Sequence, residues 1–341
     1  MKNIAILIVL VFIGCKSKSE ETTTENNNQT NRRIPEVREN IPLDSIRLSD
    51  PAILADKETE MYYMTGTGGW LWKSKDLQDW TGPFWVAETD STSWMGKRPM
   101  IWAAELHQYK DKFYYFATFT NEKIKIDTVK ENIIPRRASH VLVSDKPDGP
   151  YVPMEDPTYL PADIPTLDGT FWVEDGTPYM VYCEEWLQNW NGTMSKIELK
   201  PDLSGSVGEG EILFRAFDSP WSRELNNEGD TIPSKVTDGP WLFKTQTGKL
   251  GMLWTSWIHD IYTQGVAYSE SDKLDGPWVQ EEEPRRPRNF GHSMLFRTLD
   301  GKLLMSVHNH RNVNGRYIRY PKLFEVDDSG DKLVLGEPYT P

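Results

Sequence analysis

The chain has 341 residues, 38% of them hydrophobic, enough for one large domain or two ordinary ones. Its formal net charge is −13, and its basic residues run no longer than pairs such as Arg136-Arg137, so DNA and RNA are excluded as main partners while a neutral ligand is compatible. The 14 Trp, 14 Tyr and 12 Phe suit strand cores for the most part, and the apolar faces of sugar rings for the rest.

Residues 4–13 are an apolar run behind Lys2, too short to span a bilayer as a mature helix. They end at Gly14-Cys15, and a small residue before a Cys at this place resembles a bacterial lipoprotein signal. The resemblance implies removal of residues 1–14, lipidation of Cys15 and a protein held on the cell envelope by its lipid. The alternative is an ordinary secretory signal in which Cys15 is incidental. The remaining cysteine, Cys183, sits in an apolar strand and reads as a buried, inert thiol. Residues 15–40 carry too little apolar surface to offset chain entropy and read as a disordered tether, leaving 41–341 as the folded domain.

From Ile41 onward short strands and turn signals follow one another. The first module opens with Asp50-Pro51-Ala52-Ile53 and continues with the aromatic strand Met61-Tyr62-Tyr63-Met64. The second opens at Ile101-Trp102 with Glu105 shortly after, then Lys110-Asp111 turns into the strand 112–119. The third repeats the opening phrase as Asp168-Gly169-Thr170-Phe171-Trp172, and its second strand runs through Tyr179-Met180-Val181-Tyr182 to Glu184-Glu185-Trp186. The fourth is Asp238-Gly239-Pro240-Trp241-Leu242, followed by Thr247-Gly248 and a strand to Trp254. The fifth opens at Gly291-His292-Ser293, turns at Asp300-Gly301, and carries His308, His310 and Arg311.

A second phrase recurs later in the modules: Asp76-Leu77 to Trp80, Asp145 to Gly149-Pro150-Tyr151, and Asp272 to Gly276-Pro277-Trp278. Module starts at Asp50, Trp102, Asp168, Asp238 and His292 are spaced by 52, 66, 70 and 54 residues. Repeats of that length made of antiparallel strands predict an all-β fold, a five-bladed β-propeller. A β-sandwich with coincidental turns is the alternative. The insertions 85–100, 121–137 and 216–236 are expected to shape a pocket.

Other chemistries lack their residues. The six His are scattered with no metal-ligand spacing, and Gly66-Thr67-Gly68-Gly69-Trp70 lacks the Lys of a phosphate loop. There is no Gly-x-Ser-x-Gly. No cofactor is required by this reading.

The ordered set Ser49-Asp50-Pro51, Ile101 to Leu106, Leu167 to Phe171, Asp238-Gly239-Pro240 and Gly291-His292-Ser293 resembles glycoside hydrolase family 43 over residues 41–335. The resemblance implies an inverting hydrolase that removes arabinofuranosyl or xylosyl residues from oligo- or polysaccharides. It casts Asp50 as general base and Asp168 as the carboxylate that tunes the acid. The family's acid is a Glu at the place where this chain has Asp238, one methylene shorter. Glu185 offers a second candidate and is favoured, with Asp238 as the alternative. Substrate contacts are expected from Trp102, Glu105, Trp186, His292 and Arg311. For Glu105 an ion-pair role with an Arg or Lys stands equally open. His292 resembles the family's axial His, which in some members contacts a structural calcium. The departure at Asp238 leaves a second function class open, a degenerate propeller that binds glycans at the cell surface.

Overall fold

The structure, a computed structural model, describes residues 35–341 except 130, 155–158, 228–229, 286–288 and 315. The expected signal, Cys15 and the expected tether up to residue 34 lie outside the described residues. The folded unit runs from Glu36 to Pro341. No helix among the described residues is long and apolar enough to cross a membrane.

Five antiparallel meanders make the fold, and each begins with its innermost strand: Ala52–Asp56, Met100–Tyr109, Thr166–Glu174, Asp238–Lys244 and Phe290–Arg297. Blades two to five have four strands each; a two-stranded hairpin, Leu225–Asn227 with Asp230–Ile232, lies between blades three and four. Blade one gains a fifth strand, because Arg38–Pro42 pairs with its outer strand Asp79–Trp85. Folded structure thus begins before residue 41. Arg38, Glu39 and Asn40 are exposed, and such polar residues protect a sheet edge from further pairing.

The apolar side chains decide between propeller and sandwich. They divide into five clusters, each between consecutive blades: Tyr63 and Leu71 against Ile101, Tyr114 and Phe116 against Met180, Val181 and Cys183 against Met252 and Trp254, Leu253 against Met305, and Leu304 and Leu323 against Ile53 and Met64. The last closes blade five on blade one. A sandwich would have one core between two sheets; five radial cores make a five-bladed β-propeller. Burying a side chain such as Phe116 or Phe119 stabilises this packing by about 1.5–3 kcal/mol.

The recurring turn phrase has a local cause. Trp80 Nε1 donates to Leu77 O at 3.0 Å, Tyr151 Oη to Pro147 O at 2.8 Å, and Trp278 Nε1 to Leu274 O at 2.9 Å. The aromatic that opens each outer strand pins the turn before it, which sets the register of the blade's edge.

Inner strands run away from the face on which they start, so second strands return to it. The turns after second strands and the links between blades therefore gather on that one face. All three long insertions belong to it. Blade two's second and third strands, Lys112–Val129 and Asn132–Ser144, extend over it as a long hairpin.

Candidate active site

At the start of its inner strand every blade holds one residue in the left-handed region: Asp50 (φ 58°), Ala103 (42°), Asp168 (52°), Gly239 (50°) and His292 (54°). In blades two to five the pairing with the second strand slips at this residue. A non-glycine residue held there costs about 1–3 kcal/mol, strain typical of functional sites. The amide of each bonds to a side chain of the preceding blade: Ala103 to Thr67 Oγ1 (2.9 Å), Asp168 to Thr118 Oγ1 (2.7 Å), His292 to Thr255 Oγ1 (2.9 Å) and Gly239 to Asp168 Oδ2 (3.2 Å). Asp50 completes the ring, its amide 3.1 Å from His308 Nδ1 on blade five.

This register corrects the reading of the repeated Asp-headed phrase. Asp50 and Asp168 are equivalent, but in blade four the place belongs to Gly239, and Asp238 stands one residue earlier. Trp102 likewise precedes the equivalent Ala103. Gly239 is required: a Cβ there would lie 2.7 Å from Cγ of the His292 ring.

His292 stands among three carboxylates from three blades. Its Nδ1 is 3.3 Å from Asp50 Oδ1, 3.9 Å from Asp168 Oδ2 and 3.8 Å from Asp238 Oδ1. Asp50 Oδ1 also lies 3.0 Å from His308 Nδ1, and Thr67 donates its hydroxyl to Oδ2. Burial alone would raise the Asp50 carboxyl, but His292, His308 and Arg319 together hold it well below the usual carboxylate range. Asp168 is pushed the other way: burial, then the Asp238 and Asp50 charges, raise it well above that range. Asp238 accepts a hydrogen bond from the Tyr262 phenol.

Glu185 directly follows blade three's second strand, Thr177–Glu184, and occupies the N-cap position of the four-residue helix Trp186–Asn189. It is 4% exposed, and its amide donates to Pro165 O at 2.9 Å. Its carboxylate pairs with Arg137 of blade two, whose guanidinium lies 4.0 Å from the Trp102 ring centre. Burial raises Glu185 more than Arg137 lowers it, and the net direction is upward. The far part of the same hairpin reaches the helix again, where Gln188 Nε2 donates to Asp127 Oδ2 at 2.9 Å.

The structure thus brings Asp50, Asp168, Asp238 and His292 together at the axis and sets Glu185 and Trp102 beside Arg137. Trp186 is half-buried in the helix that follows Glu185. Glu105 is 1% exposed, and its Oε2 is taken by Thr170 Oγ1 and His107 Nε2, both at 2.7 Å, so its partners are a threonine and a histidine rather than an Arg or Lys. It lies past the slipped residue, further down the inner strand and inside the ring. Arg311, expected as a substrate contact, stacks over Tyr320 at 4.5 Å. The arginine that acts on Asp50 is Arg319, opposite His310 on the neighbouring strand, with Nε donating to His310 Nε2 at 2.7 Å.

Sequence reasoning also passed over Thr67, Arg137, Tyr262 and Arg319. Arg136-Arg137 was visible as a basic pair, and Thr67 as part of a Gly-rich turn. Nothing in the sequence aims either at a carboxylate.

One oxygen or nitrogen from each of Asp168, Asp238 and His292 lies within 4.8 Å of the others, a spacing that a cation can bridge. Calcium prefers six to eight oxygen ligands. His292 Nε2 is buried without a hydrogen-bond partner among the described residues, so an ion or one of its waters could meet it there.

Residues 40–323 match the family model of glycosyl hydrolases family 43. Among solved structures the chain is similar to an endo-arabinase from Bacteroides thetaiotaomicron VPI-5482, at 32% identity and a TM-score of 0.71, covering 84% of this chain and 96% of that one. It also shares the fold of an alpha-L-arabinofuranosidase from Lactobacillus brevis (18% identity, TM-score 0.63, 86% of this chain and 93% of that one). A xylan beta-1,4-xylosidase from Bacillus halodurans C-125 (19%, 0.63) is covered over 56% of its length by 87% of this chain. No curated protein matches the sequence.

Proposed function

Because the chain belongs to glycosyl hydrolase family 43 and is a glycoside hydrolase, we propose that it cleaves arabinofuranosyl linkages by inversion. The observation that carries this reading is the axial cluster itself: Asp50, Asp168 and Asp238, from three blades, lie within 3.3, 3.9 and 3.8 Å of His292 Nδ1, with Asp50 favoured as the ionised member and Asp168 as the protonated one. Likeness to the endo-arabinase supports arabinofuranosyl over xylosyl units.

Inversion requires a carboxylate that activates water on one face of the sugar and an acid on the other, roughly 6.5–9.5 Å apart. Asp50, ionised between His292 and His308, draws the proton from that water. Glu185, raised by burial, delivers its proton to the leaving oxygen. Asp168, beside Asp238, favours retention of protons on this side of the cluster and holds the Gly239 amide in register. Asp238 is the alternative acid. Its engagement by Tyr262 supports a holding role instead. Trp102 and Trp186 supply apolar surface at the cleft.

Asp168, Asp238 and His292 would hold a calcium ion at the axis, which would offset the carboxylate charges; the proton movements above belong to the side chains alone. The lipid on Cys15 would keep the enzyme on the cell envelope, and Cys15→Ser would release it from the membrane fraction.

The test is hydrolysis of linear arabinan oligosaccharides, with NMR of the first product formed. The expected product carries the inverted anomer, and Asp50→Asn lowers turnover by about 10²–10⁴-fold. Binding of the same oligosaccharides without any cleavage, by wild type and Asp50→Asn alike, would instead establish a glycan-binding propeller.

A further inference from the structure

The blade-three turn after Glu185 is clasped by the link between blades three and four. Ser234 Oγ donates to Trp186 O at 3.2 Å, and Lys235 N donates to Trp190 O at 3.2 Å. Gly192 N donates to Lys235 O at 2.9 Å, Ala216 N to Gly192 O at 2.9 Å, and Phe217 N to Asn191 Oδ1 at 3.0 Å. These eight residues are therefore fixed against each other on the face that carries the active site.

Within this clasp Phe217 is 52% exposed, and the Lys235 ammonium lies 4.8 Å from its ring centre. An exposed ring on a short 3₁₀ turn contributes nothing to the core. The ammonium placed against it is half-buried, and burial draws its pKa down. A rigid apolar ring beside a hydrogen-bond donor suits the two surfaces of a sugar, its C–H face and its hydroxyls. The Lys235 ammonium can donate to a neutral hydroxyl, and the net charge of −13 disfavours an acidic glycan.

Its position follows from the blade. Glu185 follows the second strand Thr177–Glu184, Asn191-Gly192 precede the third strand Thr193–Leu199, and Ala216–Asp218 follow the outer strand Ser206–Arg215. Two strand spacings place Phe217 roughly 10 Å outward of Glu185. That exceeds the width of one pentose ring. The pair therefore stands beyond the sugar that receives the acid's proton.

We propose that Phe217 and Lys235 form a distal subsite for the leaving-group portion of a neutral pentose oligosaccharide, whose chain crosses Trp186 and runs out over blade three. The orientation rests on the reading of Glu185 as acid, since the proton is delivered toward the leaving group. The enzyme is then one that prefers chains to isolated pentosides.

The experiment compares wild type, Phe217→Ala and Lys235→Met on an aryl arabinofuranoside, on arabinobiose and on arabinopentaose. Phe217→Ala should lower kcat/KM on the pentaose about tenfold, mainly through KM, with a smaller loss for Lys235→Met and aryl and biose rates nearly unchanged. Equal losses on all three substrates, or none on the pentaose, overturn the subsite. Calorimetric titration of arabinopentaose into each protein separates this from failure of the enzymatic reading. If no substrate is cleaved, weaker pentaose binding by Phe217→Ala still supports the subsite, and unchanged binding removes it.

Discussion

Arg137 of blade two holds the carboxylate of Glu185 on blade three while its guanidinium rests on Trp102. If Glu185 is the acid, as proposed, a fixed cation beside it sets the upper edge of the working pH range. Burial raises Glu185 first, and Arg137 opposes it. Replacing Arg137 by Met removes only the opposing influence, so Glu185 should keep its proton to higher pH. The alkaline limb of kcat on arabino-oligosaccharides should move upward in Arg137→Met and stay near wild type in Arg137→Lys. A limb that does not move would show that the acid lies elsewhere.

The acid itself is separable by leaving group. Glu185→Gln should lose about 10²–10⁴-fold on oligosaccharides, whose leaving oxygen needs a proton, and far less on an aryl glycoside with an acidic phenol. Asp238→Asn should depress both substrates alike, because Asp238 holds Tyr262 and neighbours His292 at the axis. If the selectivity appears in Asp238→Asn, the two roles exchange.

Gly239→Ala tests the axis without touching a titratable group. The new methyl would meet the His292 ring at 2.7 Å, at a residue whose φ is +50°. The imidazole has to leave its place among Asp50, Asp168 and Asp238. Expected are a folded protein destabilised by about 1–3 kcal/mol and a fall in kcat larger than any change in KM. Retained kcat would mean that the position of His292 does not matter to turnover.

His140 makes a prediction about stability alone. Its ring is buried among Trp94, Phe119 and Tyr159, and both nitrogens lack partners among the described residues. Burial, then Arg136, pushes its pKa down to about 3. A group depressed in the folded state stabilises above its unfolded pKa, near 6.5, and that stability is lost as pH falls toward 3, at up to about 1.4 kcal/mol per pH unit. The Tm of His140→Phe should therefore fall less steeply between pH 6.5 and 3 than that of wild type. Parallel Tm curves would show that His140 takes its proton without unfolding.

The fold was legible because its repeats are local. Asp76-Leu77 to Trp80 and Asp272 to Trp278 are turns pinned by their own aromatic, and a phrase of that kind survives in sequence. Asp50, Asp168 and His292 were legible for the same reason, each heading a recognisable strand. Arg137 and Arg319 were not, because each acts on a residue of another strand or blade. Pairing register decides such contacts. Arg319 faces His310 and Arg311 faces Ile318, so that register decides which arginine reaches the histidines near Asp50 and which stacks on Tyr320. Asp238 and Gly239 carry the same lesson, since the sequence phrase aligns one and the bulged strand aligns the other.

The seam between the first and last blades has a temporal side. Asp50 emerges early from the ribosome, yet His292 and His308, the imidazoles beside its carboxylate, belong to blade five, and His308 follows it by 258 residues. During synthesis Asp50 is an ordinary carboxyl without these neighbours. Its surroundings are complete only when the final blade docks. Loss of the C-terminal blade would therefore undo the axial cluster at the first one, and an intact cluster reports that the circle has been closed.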